Sequence, residues 1–185
     1  MTDYSIPQPT SGDVVDLITA DHRLLEDLMR AMRDESADRD AARVAFADLL
    51  VAHSEAEEDS VYPKLKSKKV IDGEEEEHGE EEHAATNEAL LHLLQAKGTD
   101  TQKFEDALEA VAEVLNHHIG EEELSILNPA REDATETTRQ ELGEKWLAKR
   151  NQLLESGAGS IDNVEAIVKK AYDDGLLPND DQPDE

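Results

Sequence analysis

Two stretches of this chain repeat one piece of chemistry: His53-x-x-x-Glu57 followed by Tyr62-Pro63, and His118-x-x-x-Glu122 followed by Pro129. Each sets an imidazole and a carboxylate one helical turn apart, inside leucine and valine at helical spacing. His22 and His83 stand in two further patterns of that kind. Imidazole nitrogen with carboxylate oxygen is the donor set of a cation site, and neutral imidazole suits iron, zinc, copper and nickel. The chain has no cysteine. Thiolate zinc sites, iron–sulfur clusters, disulfides and cysteine nucleophiles are therefore excluded, and any metal must be held by His, Asp or Glu.

Helices must position these groups. A first helix starting near Ser11 or Asp13 carries the stripe Val14, Ile18, Leu25, Met29, Met32, with His22 on the stripe. After a polar loop over residues 34–40, a second helix carries Phe46, Leu50, Val61 and Leu65, with His53 and Glu57 in the two middle positions. Pro63 should kink it or begin to end it, and residues 64–73 form the next connection. The acidic run over 74–82 suits a helix N-terminus, where the macrodipole favours negative charge, and leads into His83, Asn87, Leu90 and Leu94. A turn at 98–100 precedes the cleanest stripe, Phe104, Leu108, Val111, Leu115, His118, Glu122, Ile126, which Pro129 is expected to end.

The implied fold is all-α: an up-and-down antiparallel four-helix bundle over residues 12–130, preceded by a flexible arm over 1–11. An additional helix follows over 131–156, anchored by Trp146, and then 157–185 provide a linker, a short amphipathic helix and a disordered acidic tail.

A helix facing a core should keep its stripe apolar, because an unpaired buried imidazole or carboxylate costs several kcal/mol. Here four helices each break the stripe with a ligand-type residue. In alternating up-and-down order the breaks fall at one height, within roughly 10 Å at 1.5 Å per residue. Their meeting would join His22, His53, Glu57, His83, His118 and Glu122 in one layer. A carboxylate from each half of the bundle can then bridge two metals. Six donors fall short of saturating two ions, which leaves open positions for a small exogenous ligand.

The remaining composition is mainly exclusionary. A formal net charge of −28 argues against binding nucleic acid or anionic lipid, since phosphate recognition needs a basic surface; the acid excess reads as solubility. No stretch approaches the roughly 20 apolar residues of a membrane span, and the polar N-terminus with Pro7 and Pro9 points to a cytoplasmic address. His78, His92 and His117 are expected at the surface. The 74–82 run lacks the spacing of a calcium loop. Tyr62 fits either a hydrogen-bond donor to the site or a packing residue.

With these residues in view, the chain resembles the hemerythrin-like (HHE cation-binding) domain. The resemblance covers about residues 12–130, and H-x-x-x-E-E-x-x-x-Y-P is its most recognisable part. It implies a four-helix bundle with two non-haem irons, oxo- or hydroxo-bridged. His22, His53 and His118 would be terminal ligands, and Glu57 and Glu122 would bridge. It also implies binding of, or reaction with, dioxygen, peroxide or nitric oxide. A di-iron peroxidase or catalase-like enzyme and an iron or zinc buffer are the alternatives, and a metal-free interaction module is a further rival. Two departures stand out. Oxygen-carrying members place His-x-x-x-His on the third helix, whereas Gly79 lies four before His83 and Asn87 four after. Their fourth-helix carboxylate lies five after its histidine, which would select Glu123; the stripe selects Glu122, and a locally widened helix would favour Glu123.

Overall fold

The computed structural model describes residues 4–178; the end of the acidic tail and the first three residues of the arm lie outside this range. The chain folds as an all-helical bundle. Its four rods are α1 (Val14–Arg33), α2 (Arg39–Ala56) extended by α3 (Tyr62–Ser67), α4 (Gly73–Gln95), and α5 (Gln102–Glu122) extended by α6 (Asn128–Asp133). Side-chain caps fix where they begin. Asp13 accepts from the Val15 amide, Asp72 from the amides of Glu74 and Glu75, and Thr101 from that of Phe104. The carboxylates of residues 74–76 then occupy the positive end of α4.

Pro129 does not end its helix as expected, and after Pro63 the rod likewise continues for another turn. A five-residue π-helical turn, Glu57–Val61, joins α2 to α3, and a second, Glu123–Leu127, joins α5 to α6. Proline has no N–H and its ring clashes with the carbonyl four residues back. Widening the preceding turn relieves that clash and lets the rod continue to Ser67 in one case and Asp133 in the other. The amide of Tyr62 thus reaches the Glu57 carbonyl five residues back, and that of Asn128 reaches Glu123. The connection expected over 64–73 is correspondingly shorter.

The interior divides into two apolar regions. One holds Leu25, Met29, Phe46, Leu50, Leu90, Phe104 and Leu108; the other holds Val14, Ile18, Val61, Leu65, Ile126, Leu127 and Trp146. The polar residues that interrupt each stripe lie between the two. Burial of apolar area on both sides, at about 25 cal/mol per Å², holds that polar layer in place.

Two further helices cover the bundle: α7 (Glu136–Glu155) packs on α1 and α2, and α8 (Ile161–Asp174) on α4. The N-terminal segment runs along α7, its Pro7 and Pro9 carbonyls accepting from Arg150 and Asn151. That approach depends on a glycine: a Cβ at Gly143 would sit 2.0 Å from the Gly12 carbonyl oxygen. Gly143→Ala is expected to destabilise the protein by about 1–3 kcal/mol through overpacking, read as a lowered Tm with helical content retained. Among the described residues no helix is long and apolar enough to cross a membrane.

Candidate metal centre

All six residues singled out by the stripes are buried and come together in the polar layer: His22, His53, Glu57, His83, His118 and Glu122. They form two groups of converging donors, one of His22, His53, Glu57 and Glu122, the other of Glu57, His83 and His118, each with its ligand atoms within 4.8 Å of one another. Glu57 belongs to both. Its Oε1 lies 3.0 Å from His53 Nε2 and its Oε2 3.3 Å from His83 Nε2. Glu122 Oε2 lies 3.0 Å from His22 Nε2 and 3.9 Å from His118 Nε2.

These atoms are close without being bonded to one another. His22 Nε2, His53 Nε2, both Glu57 oxygens and Glu122 Oε2 are buried and make no hydrogen bond. Their lone pairs are aimed at shared points in space. Buried polar atoms are almost always satisfied, so a cluster of five such atoms is what a cation site looks like when read from its donors alone.

The far side of each imidazole explains the orientation. Every Nδ1 faces a carboxylate oxygen: His22 with Glu123 at 3.0 Å, His53 with Asp21 at 3.4 Å, His83 with Glu58 at 2.8 Å, His118 with Glu82 at 2.9 Å. A carboxylate can only accept, so each Nδ1 carries the hydrogen and each Nε2 is free to coordinate. The four pairs close a ring. Asp21 on α1 backs the α2 histidine, Glu58 after α2 backs the α4 histidine, Glu82 on α4 backs the α5 histidine, and Glu123 after α5 backs the α1 histidine. Each backing carboxylate is also the sequence neighbour of a converging residue on its own rod.

One consequence is decisive for the chemistry. With both Nδ1 atoms donating outward, His83 Nε2 and His118 Nε2 face each other at 3.1 Å. Two lone pairs at that distance repel unless a proton or a metal ion lies between them. Charge agrees. The six carboxylates around the layer are only partly offset, by Arg150 on Asp21 and by Arg23, which is shared between Glu123 and Glu26, so the layer keeps a negative excess that suits a cation.

Among themselves the groups settle that excess with protons. Burial would push His22 down, but the Glu122 carboxylate 3.0 Å from its Nε2 outweighs it and holds the ring up at about 9. Burial is likewise outweighed at His83 by Glu57 and Glu58, which hold it at about 10. His118 is pushed down, by burial and by the charge of His83 opposite. Glu122 is held low: burial opposes ionisation, and His22 overrides it.

Tyr62 completes the layer. Its ring is fully buried and stacks on His83 with centroids 5.7 Å apart, and its hydroxyl donates to Glu122 Oε1 at 2.9 Å. The same hydroxyl is 3.5 Å from His83 Nε2. Gly79 makes this possible, because a Cβ there would meet the Tyr62 ring at 2.9 Å. Tyrosine thus fills the space beside His83 that a side chain at 79 would need. Glu122, not Glu123, turns into the layer; the widened turn begins one residue too late to rotate Glu123 inward. Glu123 instead accepts from His22 and Arg23 at the rim.

The family model for the hemerythrin HHE cation-binding domain matches residues 13–130. The chain belongs to the hemerythrin HHE cation-binding family. It is a metal-binding protein, and the matched segment contains all six converging residues. It is also similar to the crystal structure of a hemerythrin HHE cation-binding domain-containing protein from Mycobacterium kansasii, with a TM-score of 0.70 and 23% identity over 85% of this chain and 98% of that one. No curated protein matches the chain.

In this hemerythrin-like chain the sequence reading missed the backing carboxylates. Asp21, Glu58, Glu82 and Glu123 each sit directly beside His22, Glu57, His83 and Glu122. An acid adjacent to four of the six candidates was the available signal, but adjacency on a helix points the neighbour about 100° away. Arg150 lay outside the four stripes. His78, His92 and His117 are exposed, as expected, and His78 and His117 both approach Glu82, at 3.6 and 3.5 Å.

Proposed function

We propose that this hemerythrin HHE protein holds a non-haem di-iron centre between the two apolar regions and uses it to bind or react with dioxygen, peroxide or nitric oxide. The observation that supports it most is the pair of donor groups sharing Glu57, an arrangement suited to two cations bridged by one carboxylate. His22, His53, Glu57 and Glu122 would hold one ion; Glu57, His83 and His118, with Glu122 Oε2 farther off, would hold the other. Iron bound there would supply reversible one-electron chemistry toward a small oxidant.

The protein's own part is orientation and water exclusion. The four carboxylates fix the tautomer of each imidazole and raise its basicity as a ligand. The two ions would be unequal: His22, His53, Glu57 and Glu122 crowd the first, while fewer donors leave the second open to a small exogenous molecule.

A peroxide-degrading enzyme is the second reading, and Tyr62 favours it. Burial and the nearby Glu122 and Glu57 charges push its hydroxyl well above the ordinary tyrosine range, so it keeps its proton at neutral pH. A phenol held 2.9 Å from Glu122 and 3.5 Å from His83 Nε2 can give a hydrogen bond to a ligand at the open position.

Elemental analysis of purified protein tests the main reading. About two irons per chain are expected, and less than one equivalent of iron, zinc or manganese would remove it. A reversible visible absorption change on cycling oxygen separates binding from catalysis. For the enzyme reading, steady oxygen release from peroxide should fall about 100- to 1,000-fold in Tyr62→Phe while metal content holds; an unchanged rate in Tyr62→Phe would discard it. Full zinc occupancy without redox response would support a buffer instead.

A further inference from the structure

We propose that Arg150 and Asp21 position and tune His53 as a cation ligand, which makes α7, a helix beyond the segment matching the family model, a working part of the metal centre. The inference rests on the two-metal reading given above.

The geometry is specific. Arg150 Nε donates to Asp21 Oδ2 at 2.6 Å and Nη2 to Oδ1 at 2.7 Å, a two-pronged contact that fixes the plane of the carboxylate. The same Oδ2 faces His53 Nδ1 at 3.4 Å. The guanidinium is itself tied down, since Nη1 donates to the Pro7 carbonyl and to Asn151 Oδ1, both at 3.0 Å. One turn earlier on α7, Trp146 sets its ring edge-on to His53 with centroids 5.7 Å apart, and Arg150 lies over the indole at 5.5 Å. Two α7 side chains therefore bracket His53, one by contact and one through Asp21.

Stability does not account for this pair. Asp21 is 5% exposed and Arg150 1% exposed, and a buried ion pair commonly contributes no more than well-packed apolar side chains of the same volume. Its distinguishing effect is on the imidazole. The other three backing carboxylates reach solvent: Glu58 and Glu123 have side chains 34% exposed, Glu82 12%. Only Asp21 is sealed in and met by a buried cation. His53 thus receives the orienting hydrogen bond while the charge behind it is cancelled. Electron donation to its metal is weaker than at His83, where Glu58 pairs with no arginine or lysine among the described residues.

The test uses the full chain in four forms: wild type, Asp21→Asn, Arg150→Gln and the double variant, whose amide pair leaves no buried charge uncompensated. Three properties are measured: ferrous iron affinity by anaerobic chelator competition, the midpoint potential by spectroelectrochemistry, and the melting temperature of the chelated protein. All three variants should bind iron about 10- to 100-fold more weakly. The potential should rise in Asp21→Asn, fall in Arg150→Gln, and return near the wild-type value in the double variant. A merely structural role would shift the potential the same way in both single variants, with affinity tracking the chelated melting temperature; that result overturns the inference. Two irons in the wild type with affinity and potential unchanged in every variant also overturns it, leaving the metal reading intact. Less than one iron in the wild type removes both together.

Discussion

Glu57→Ala should remove both cations, not one. Glu57 is the single residue shared by the two donor groups, and it presents one oxygen to each. Without it the first position keeps His22, His53 and Glu122, and the second keeps His83 and His118 with Glu122 at longer range. Metal content should drop from about two ions per chain to well under one, whereas His53→Ala and His118→Ala should each leave about one. His92→Ala, at an exposed residue far from the layer, should leave two. Circular dichroism guards against a trivial unfolding explanation. Equal metal retention in Glu57→Ala and His92→Ala would refute the placement of the site.

Iron affinity should climb steeply with pH, and stability of the metal-free protein should move the other way. His22 and His83 are held up at about 9 and about 10, so at neutral pH a cation must displace a proton from each. Two displaced protons correspond to about 100-fold in apparent affinity per pH unit between roughly pH 7 and 8.5. For folding the sign reverses. A histidine raised above its ordinary 6.5 contributes stability that is fully present below 6.5 and lost as pH rises through its folded value, here about 9 and about 10. Glu122, held low, contributes above its ordinary 4.5 and loses that contribution on acidification. Chelated protein should therefore be most stable between these ordinary values and weaken toward pH 10. At pH 8 a metal level 1,000-fold over the dissociation constant should add about 4 kcal/mol, read as a raised Tm. An affinity flat across pH 7 to 8.5 would contradict the protonated state assigned to the two rings.

The reach of the sequence is best judged residue by residue. Periodicity alone located the four rods and the six residues that interrupt their stripes, because burial of Val14, Phe46, Leu90 or Phe104 demands an apolar face of fixed pitch. It also put Trp146 on the fifth helix against the bundle. The prolines misled. Local propensity says that Pro129 stops its helix and that Pro63 kinks or begins to end its own, but packing of Leu65, Leu127 and Ala130 keeps both rods going, and one turn of each widens to permit it.

What the sequence determined by itself is which side chains face inward and at what height, since both follow from repeat spacing along one helix. Only the tertiary structure decided which carboxylate serves which imidazole, and that Arg150 stands behind Asp21. Those pairings depend on how each helix is rotated against its neighbours, a quantity set by packing between rods and not by spacing within them. Asp21 lies next to His22 in the chain, yet its oxygen is turned to His53 on the adjoining helix.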